Sequence, residues 1–592
     1  MLDGNGFPKE NLDPAHEISV GNFSNRPYTK YRARRCWRKV PMNSRSITPG
    51  TTVFWGFCSL LLILVIGHAW VTEDAFITFR VADNFVHGYG LRWNIDERVE
   101  AFTNPLWLLL HILIRALHRN IFLGTIILSV VCVGAAVYFA ARSVQKSRGM
   151  TALALILPLI LSKTFLEFAT SGLENPLSFL LTSLFVWVLL TRGREPETTP
   201  WFLLSGLAAL AAVNRLDTVF LYVPVLGYLL VTRRQHIRWG AILAGMSPIV
   251  VWEAFSLIYY GFLVPNTAYS KLATGVSRSA YLKQGLYYLL DFLWRDPVGF
   301  LIVAAVAVGA LVAFQRRKGG ILTYLAVGCV AYSAYIVSIG GDFMSLRLWS
   351  LPLFLSILVL YIAMPNFTTT RAFIMAGLCL GMIRAFALWM QPHETQGTSG
   401  PQRVWHNIED ERLRYVEGHT FFSLRRRPHF RFNIHIWEPT FPQAVMWWAV
   451  GLKPYVSGPD VIVVDAVGLA DPLLSHLPAM PRKSLYIGHF RREIPKGYMA
   501  ARITRDWSLI ADPNLRQYYE KIRLITAGPL FQGERLKTIL TFNLGRYDDL
   551  RAKFLAAPGR YEDIADGQRF FFAEVMAQTP GDKPTVRPET GP

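Results

Sequence analysis

Charged side chains are scarce in this chain: they occupy 17% of its 592 positions, against about 25% in an ordinary soluble domain. Acidic residues are scarcer than basic ones, 41 Asp and Glu against 61 Lys and Arg, which leaves a formal charge of +20. Cysteine occurs five times, at Cys36, Cys58, Cys132, Cys329 and Cys379, and never after residue 379. The last third of the chain therefore has no disulfide framework and no CxxC metal cluster. The four cysteines inside apolar stretches read as small core residues. No GxxxxGK[ST], HExxH or GxSxG motif occurs, which argues against an ATP-driven pump, a zinc protease and an α/β-hydrolase.

What the chain has instead is apolar length. Hydrophobic residues make up 52% of it, and the mean hydropathy is +0.28. A charge-free window of about 20 residues crosses the ~30 Å hydrocarbon layer as a helix. Apolar windows of this kind, with at most two charged residues each, stand at 52–71, 121–141, 150–168, 176–191, 201–213, 218–231, 239–264, 297–314, 321–338, 346–364 and 372–390. The reading is a polytopic α-helical membrane protein with about 11 transmembrane helices. A basic cluster at Arg32 to Lys39 precedes the first window, and others at Arg142 to Arg148, Arg192/Arg194, Arg233 to Arg238 and Arg316 to Lys318 lie between alternate windows. The positive-inside rule puts all of them in the cytoplasm, so the basic excess is a topology signal rather than a nucleic-acid surface. An odd number of spans then places everything after Met390 outside an inner (plasma) membrane. Leu106 to Leu117 reads as a juxtamembrane helix.

Four segments follow. Residues 1–50 are a polar, basic cytoplasmic tail without apolar periodicity, and no cleavable signal peptide is evident. Residues 51–391 form the membrane domain, closed by the linker-like QPHETQGTSGPQ. Residues 392–576 are expected to form a soluble mixed α/β domain on the external side, with a strand at DVIVVD (460–465) and helices at Pro513 to Ile525 and Asp548 to Ala556. Residues 577–592 are a frayed tail.

The polar residues at external span ends carry the chemistry. Glu73 and Asp74 follow the first window directly; Lys163, Glu167, Glu174, Asn214, Arg215, Asp217, Asn266, Lys271, Asp342 and Arg347 close later ones. Such side chains are costly in hydrocarbon unless paired or hydrated, so together they imply a shared polar cavity. Cations for a phosphate leaving group, a carboxylate for the proton of an attacking hydroxyl and aromatic faces for a sugar are the parts of glycosyl transfer from a lipid phosphate. Asp74 is the first candidate base and Glu73 the second; Arg80, Arg215, Lys271 and Arg347 are candidate phosphate partners. Trp93, Phe102 and Trp107 suit either a sugar site or an interfacial aromatic belt. Asn104, Glu174, Asp217, Asn266, Asp342 and His489 complete the candidate substrate contacts. For His489 and for Asp465, packing and turn-capping are the structural alternatives. Two carboxylates alone specify no metal, so no cofactor is expected and a divalent-cation requirement stays open.

The acidic pair with FITFRVADNFVHGYGLRWNIDERVEAFTNPLW resembles the first external loop of GT-C membrane glycosyltransferases. SGLEN, NRLD, PNTAYSK, GGDFM, DAVGLADPLL, IGHFRREIP and GPLFQGERLKTILTFNLGRYD extend the resemblance, specifically to the arabinofuranosyltransferase branch. It implies a GT-C membrane domain with a periplasmic domain, a polyprenyl-phosphate sugar donor such as decaprenyl-phospho-arabinose, and an envelope glycan or glycoprotein acceptor. It also implies that the acidic pair holds the base. The common form of that pair is Asp-Asp, and the Glu-Asp found here shifts the base to Asp74. Two other classes stand beside it: a polyprenyl-lipid transporter or flippase, which would also want charges in a membrane cavity, and a non-enzymatic envelope scaffold, in which the acids would be paired structurally.

Overall fold

The first apolar run folds as helix α1 (Pro49–Gly67), and His68 closes it by donating its backbone N–H to Leu64 O at 2.9 Å. In this computed structural model, residues 49–363, 404–415, 444–480 and 485–562 are described, apart from positions 119, 145–152, 194, 273, 317–318 and 448. The tails at 1–48 and 577–592, the linker and the window at 372–390 lie outside the described residues.

The chain is predominantly helical. After the acidic pair come α2 (Ala75–Val86) and α3 (Pro105–Leu117), then α4 (Ile121–Arg142), α5 (Leu153–Leu161), α6 (Lys163–Phe168), α7 (Asn175–Thr191), α8 (Trp201–Asn214) and α9 (Val219–Thr232). Next are α10 (Trp239–Gly245), α11 (Ser247–Tyr259), α12 (Asn266–Leu272), α13 (Arg278–Arg295), α14 (Pro297–Gln315), α15 (Ile321–Ser338) and α16 (Ser350–Ala363). Pro105, Pro176 and Pro297 all stand in the first turn of a helix, where the missing N–H costs nothing. The closest packing pairs α4 with α7 and α9 with α15. At the second crossing a side chain on Gly328 would overlap the Leu221 carbonyl, so the small residue sets how near the two backbones lie.

Among the described residues, α4, α14 and α15 are long and apolar enough to cross a membrane, and α10 with α11, bent by 49°, makes a fourth. Residues 54–67, α3, α7, α8, 216–232 and α16 are apolar but shorter, at 10–17 residues. The hydropathy windows ran through polar breaks that the fold uses. The window at 150–168 splits into α5 and α6 at Ser162, whose hydroxyl donates to Asp296 Oδ2 at 2.6 Å. The window at 346–364 starts late because Leu346 has φ +67°, a left-handed conformation that interrupts a helix.

Beyond residue 403 the elements are short. A hairpin, β1 (Val404–Trp405) and β2 (Ile408–Glu409), leads into α17 (Glu411–Tyr415). Strand β3 (Ala444–Trp447) precedes α18 (Leu452–Ser457) and pairs in parallel with β4 (Ile462–Asp465), from Ala444↔Ile462 to Trp447↔Asp465. Helices α19 (Tyr498–Thr504), α20 (Pro513–Ala527), α21 (Gly533–Asn543) and α22 (Asp548–Ala556) follow. Asp512 caps α20 by accepting from Asn514 and Leu515 N–H at 2.9 Å each, a cap whose removal typically costs about 1 kcal/mol. Val464, Leu473, Tyr498, Leu515, Tyr519, Ile522 and Phe554 form the core of this region.

The loop after α2 is the platform on which this region sits. Asn94 holds β4 from both sides, accepting from Val463 N–H at 3.1 Å and donating to Val463 O at 3.0 Å. Glu97 takes both ends of the buried Arg502 guanidinium at 2.8 and 3.0 Å. Arg98 N–H donates to Thr526 O at 2.9 Å, and its guanidinium reaches Tyr259 O and Gly528 O.

Candidate active site

The two acids of the pair face different neighbours. Glu73 Oε1 accepts from the backbone N–H groups of Gly451 and Leu452, at 2.7 and 2.9 Å, at the start of α18. That is an anchoring role. A side chain on Gly451 would overlap the Glu73 carbonyl oxygen and meet its Cδ at 2.9 Å. Gly451→Ala is therefore expected to lower stability by about 1–3 kcal/mol through overpacking, measured as a drop in melting temperature. An unchanged melting temperature would show that the contact yields easily.

Asp74 is different. It stands at the N-cap position of α2 but makes no side-chain cap hydrogen bond, and its half-buried carboxylate lies 3.8 Å from Arg347 Nη1. Burial raises its pKa above the usual carboxylate range, while Arg347 and Lys271 pull the other way and Asp342 and Glu174 add to the rise. Glu73 is pushed up to about 7, by burial first and by Asp74 second, against the two N–H donors.

Arg347 is presented by the loop between α15 and α16. Gly340 and Gly341 turn the chain at positive φ, and Leu346 turns it again. Arg347 then lies 3.2 Å from Asp342 Oδ2 and 3.6 Å from Glu174 Oε1. Among the described residues its buried Nε has no hydrogen-bond partner. Glu174 is the hub on the buried side: it also accepts from Arg215 Nη1 at 2.7 Å and from Asn104 Nδ2 at 3.2 Å. Burial would raise its pKa, but Arg347 and Arg215 prevail and hold it at about 2. Asp217 completes the pairing of Arg215, taking Nε and Nη2 at 2.8 Å.

Lys271, at the end of α12, is reached by solvent; its backbone carbonyl accepts from Tyr281 Oη at 3.1 Å, and among the described residues its ammonium makes no hydrogen bond or ion pair. The side chain is solvent-accessible yet crowded by protein, and this partial loss of water, with Arg347 and Arg215, lowers its pKa against the opposing pull of Asp342 and Asp74. Gly488, beside His489, approaches it: a Cβ there would lie 3.6 Å from Lys271 Nζ. His489 packs edge-on to Phe343, with ring centroids 4.3 Å apart.

Asp74, Glu174, Arg215, Asp217, Lys271, Asp342 and Arg347 thus converge, with Asn104 behind Glu174 and His489 at the rim. Other expected residues stand elsewhere. Arg80 was read as a phosphate partner, but its guanidinium donates to the carbonyls of Trp93, Pro454, Gly458 and Val461; it clamps the chain around α18. Trp93 is wholly buried with Arg80 5.0 Å above its ring, so it offers no open sugar face. Phe102 and Trp107 are buried too. Asn266 donates to Gly468, Leu469 and Asp471 carbonyls and accepts from Ser475 Oγ at 2.9 Å, which fixes α12 to the loop after β4. Asp465 caps that loop, accepting from Val467 and Ala470 N–H at 2.8 Å each. No group of three or more His, Cys, Asp or Glu side chains suited to a metal occurs among the described residues.

Known proteins carry a similar sequence. A terminal beta-(1->2)-arabinofuranosyltransferase of Mycobacterium tuberculosis is 24% identical over 540 aligned positions, covering 76% of this chain and 83% of the relative. One from Corynebacterium glutamicum is 27% identical over 353 positions, covering 52% of this chain and 49% of the relative. The chain is related to these glycosyltransferases. No family model and no solved structure matches it. The relationship supports an enzyme that transfers a sugar.

For such an enzyme, the acidic run Glu409-Asp410-Glu411 went unread in the sequence although three adjacent acids are conspicuous in so basic a chain. It docks on the site. Glu409 N–H donates to Phe343 O at 2.6 Å and its carbonyl accepts from Ser345 N–H at 2.8 Å, so it holds the loop that carries Arg347. Asp410 pairs with Lys163 and, at 3.2 Å, with Arg295. Glu411 accepts from Thr72 Oγ1 at 2.7 Å; burial first, and Asp74 second, keep its pKa well above the carboxylate range.

Proposed function

We propose that this protein is a membrane glycosyltransferase that moves a sugar, specifically arabinofuranose, from a polyprenyl-phosphate donor to an acceptor hydroxyl of an envelope glycan or glycoprotein. The observation that carries the reading is the meeting of an uncapped carboxylate, Asp74, with Arg347 and the exposed Lys271 at one place. Asp74 takes the proton from the attacking hydroxyl. Lys271 and Arg347, backed by Arg215, stabilise the charge that grows on the departing phosphate. Asp342, Asp217 and Glu174 hold these cations in position. Decaprenyl-phospho-arabinose fits this reading as donor, and its lipid tail stays in the bilayer while the sugar reaches the cavity.

The architecture we propose is of the GT-C type: about eleven spans within residues 51–391, an N-terminus in the cytoplasm, and residues 392–576 on the external face of the inner membrane. The site then opens outward, where envelope acceptors lie.

The test is direct. Purified protein in nanodiscs, given synthetic polyprenyl-phospho-arabinofuranose and an arabinan oligosaccharide, is expected to yield an oligosaccharide longer by one pentose, read by mass spectrometry. Movement of the donor between leaflets with no new glycosidic bond would overturn the reading in favour of lipid transport.

A further inference from the structure

Among the described residues, nothing covers one side of α21. Leu536, Leu540 and Leu544 are 41%, 64% and 64% exposed, and Phe531, just ahead of the helix, is 78% exposed. Residues four apart drift by only about 40° around a helix, so the three leucines form a single apolar edge. Lys537 and Glu534 lie beyond it on the exposed side. The opposite side, with Arg535, Thr538 and Ile539, is buried.

The buried side fixes where the helix sits. Arg535 donates from Nη1 to Ile258 O at 2.8 Å, from Nη2 to Tyr259 O at 2.9 Å and from Nε to Ile525 O at 2.7 Å. Asn543 Nδ2 donates to Gly261 O at 2.9 Å. Ile258, Tyr259 and Gly261 are where α11, the second half of the bent apolar pair, ends and the chain leaves it. The outward residues of α11 and of the turn after it, Val250, Val251, Ile258 and Leu263, are themselves exposed. The leucine edge of α21 therefore lies on a helix fastened beside the exposed apolar residues of α11, a helix apolar enough to cross a membrane together with α10.

A second helix repeats the pattern. On α13, Leu282, Leu286, Leu290 and Leu293 are exposed along one line while Gln284, Tyr288, Asp291 and Phe292 are buried. That helix ends immediately before α14, one of the full-length spans, and so lies at the level where a span begins.

We propose that α21 lies in the plane of the bilayer surface, with Phe531, Leu536, Leu540 and Leu544 inserted at the boundary of headgroups and acyl chains of the leaflet that α11 reaches. Its partner is the lipid itself. An amphipathic helix with one apolar edge and a polar flank binds an interface in this way. The contact joins the C-terminal region to the membrane beside the Arg535 and Asn543 clamps that hold α21 on the end of α11. It stands independently of the sugar-transfer reading, since it needs only that α10 and α11 cross the bilayer.

The experiment uses the full chain with its five cysteines replaced by alanine, reconstituted in phospholipid nanodiscs, with one nitroxide attached at Leu540→Cys or at Glu534→Cys. Both positions are exposed, so neither label disturbs the core. Power saturation is expected to show the label at 540 at least severalfold more accessible to oxygen than to a water-soluble nickel chelate, with the reverse at 534. Equal chelate access at the two positions would overturn the proposal. So would dipolar coupling between labels at 540, which would mean that a second copy of the chain covers the edge.

Discussion

Asp74→Asn is expected to cut sugar transfer by about 10²–10⁴-fold, the usual contribution of a positioned general base, while leaving the protein folded. The substitution keeps the shape of the side chain and removes only its charge, and no helix cap depends on that charge. Glu73→Gln is the control. It retains an oxygen to accept from Gly451 and Leu452, and its effect should be on stability more than on turnover. Near-wild-type turnover in Asp74→Asn would remove Asp74 from the reaction. The pH profile supplies a second readout. Burial holds the Asp74 pKa above the usual range despite Arg347 and Lys271, and a base works only when ionised. Turnover by the wild type should therefore rise as pH increases through that raised pKa and then level off, and the rise should vanish in the Asn variant. Stability runs in the opposite sense for Glu73. Its pKa goes from 4.5 to about 7 on folding, so the folded state binds the proton more tightly. That contribution is complete below 4.5 and is lost as pH climbs through about 7.

Glu174→Gln is expected to destabilise the protein by about 3–5 kcal/mol, the cost of removing one partner from a buried ion pair. Glu174 is almost fully buried and lies against two arginines, Arg215 at 2.7 Å and Arg347 at 3.6 Å. Its carboxylate titrates at about 2 because those guanidinium groups outweigh burial. A depressed pKa contributes stability above 4.5 that is lost as pH falls through about 2, and the Gln variant should lack that acid-sensitive component. Denaturant unfolding at neutral and acidic pH measures both effects. A loss below about 1 kcal/mol would mean that Asp217 and Asp342 suffice to pair the arginines.

Local signals in the sequence were read well where they were complete in themselves. The helix Asp548–Ala556 has the expected bounds, with two acids in its first turn as helix polarity favours. The strand ending at Asp465 was visible as a compact apolar run closed by an acid. Arg215, Lys271, Asp342 and Arg347 could be grouped because each follows or precedes an apolar stretch. The division of labour between Glu73 and Asp74 was only partly legible. The shift toward Asp74 came from resemblance, whereas the physical reason, two N–H groups at the start of α18, comes from residues nearly four hundred positions away. Arg80 and Trp93 show the limit of the same reading: a charged or aromatic side chain near a loop looks available until its carbonyl partners are known. Hydropathy alone does not see Ser162 or Leu346 interrupt an apolar run.

Glu409 sets the posture of the loop that carries Arg347, and this has a consequence for the order of biosynthesis. Every helix through α16 can be made and inserted while residue 409 is still inside the ribosome. Until the segment 409–411 emerges and docks on Phe343, Ser345, Lys163 and Thr72, the arginine loop lacks the strand-like contact that shapes it. On the proposed reading, a chain cut before residue 409 is expected to transfer no sugar, because the loop that carries Arg347 would lack its Glu409 contacts.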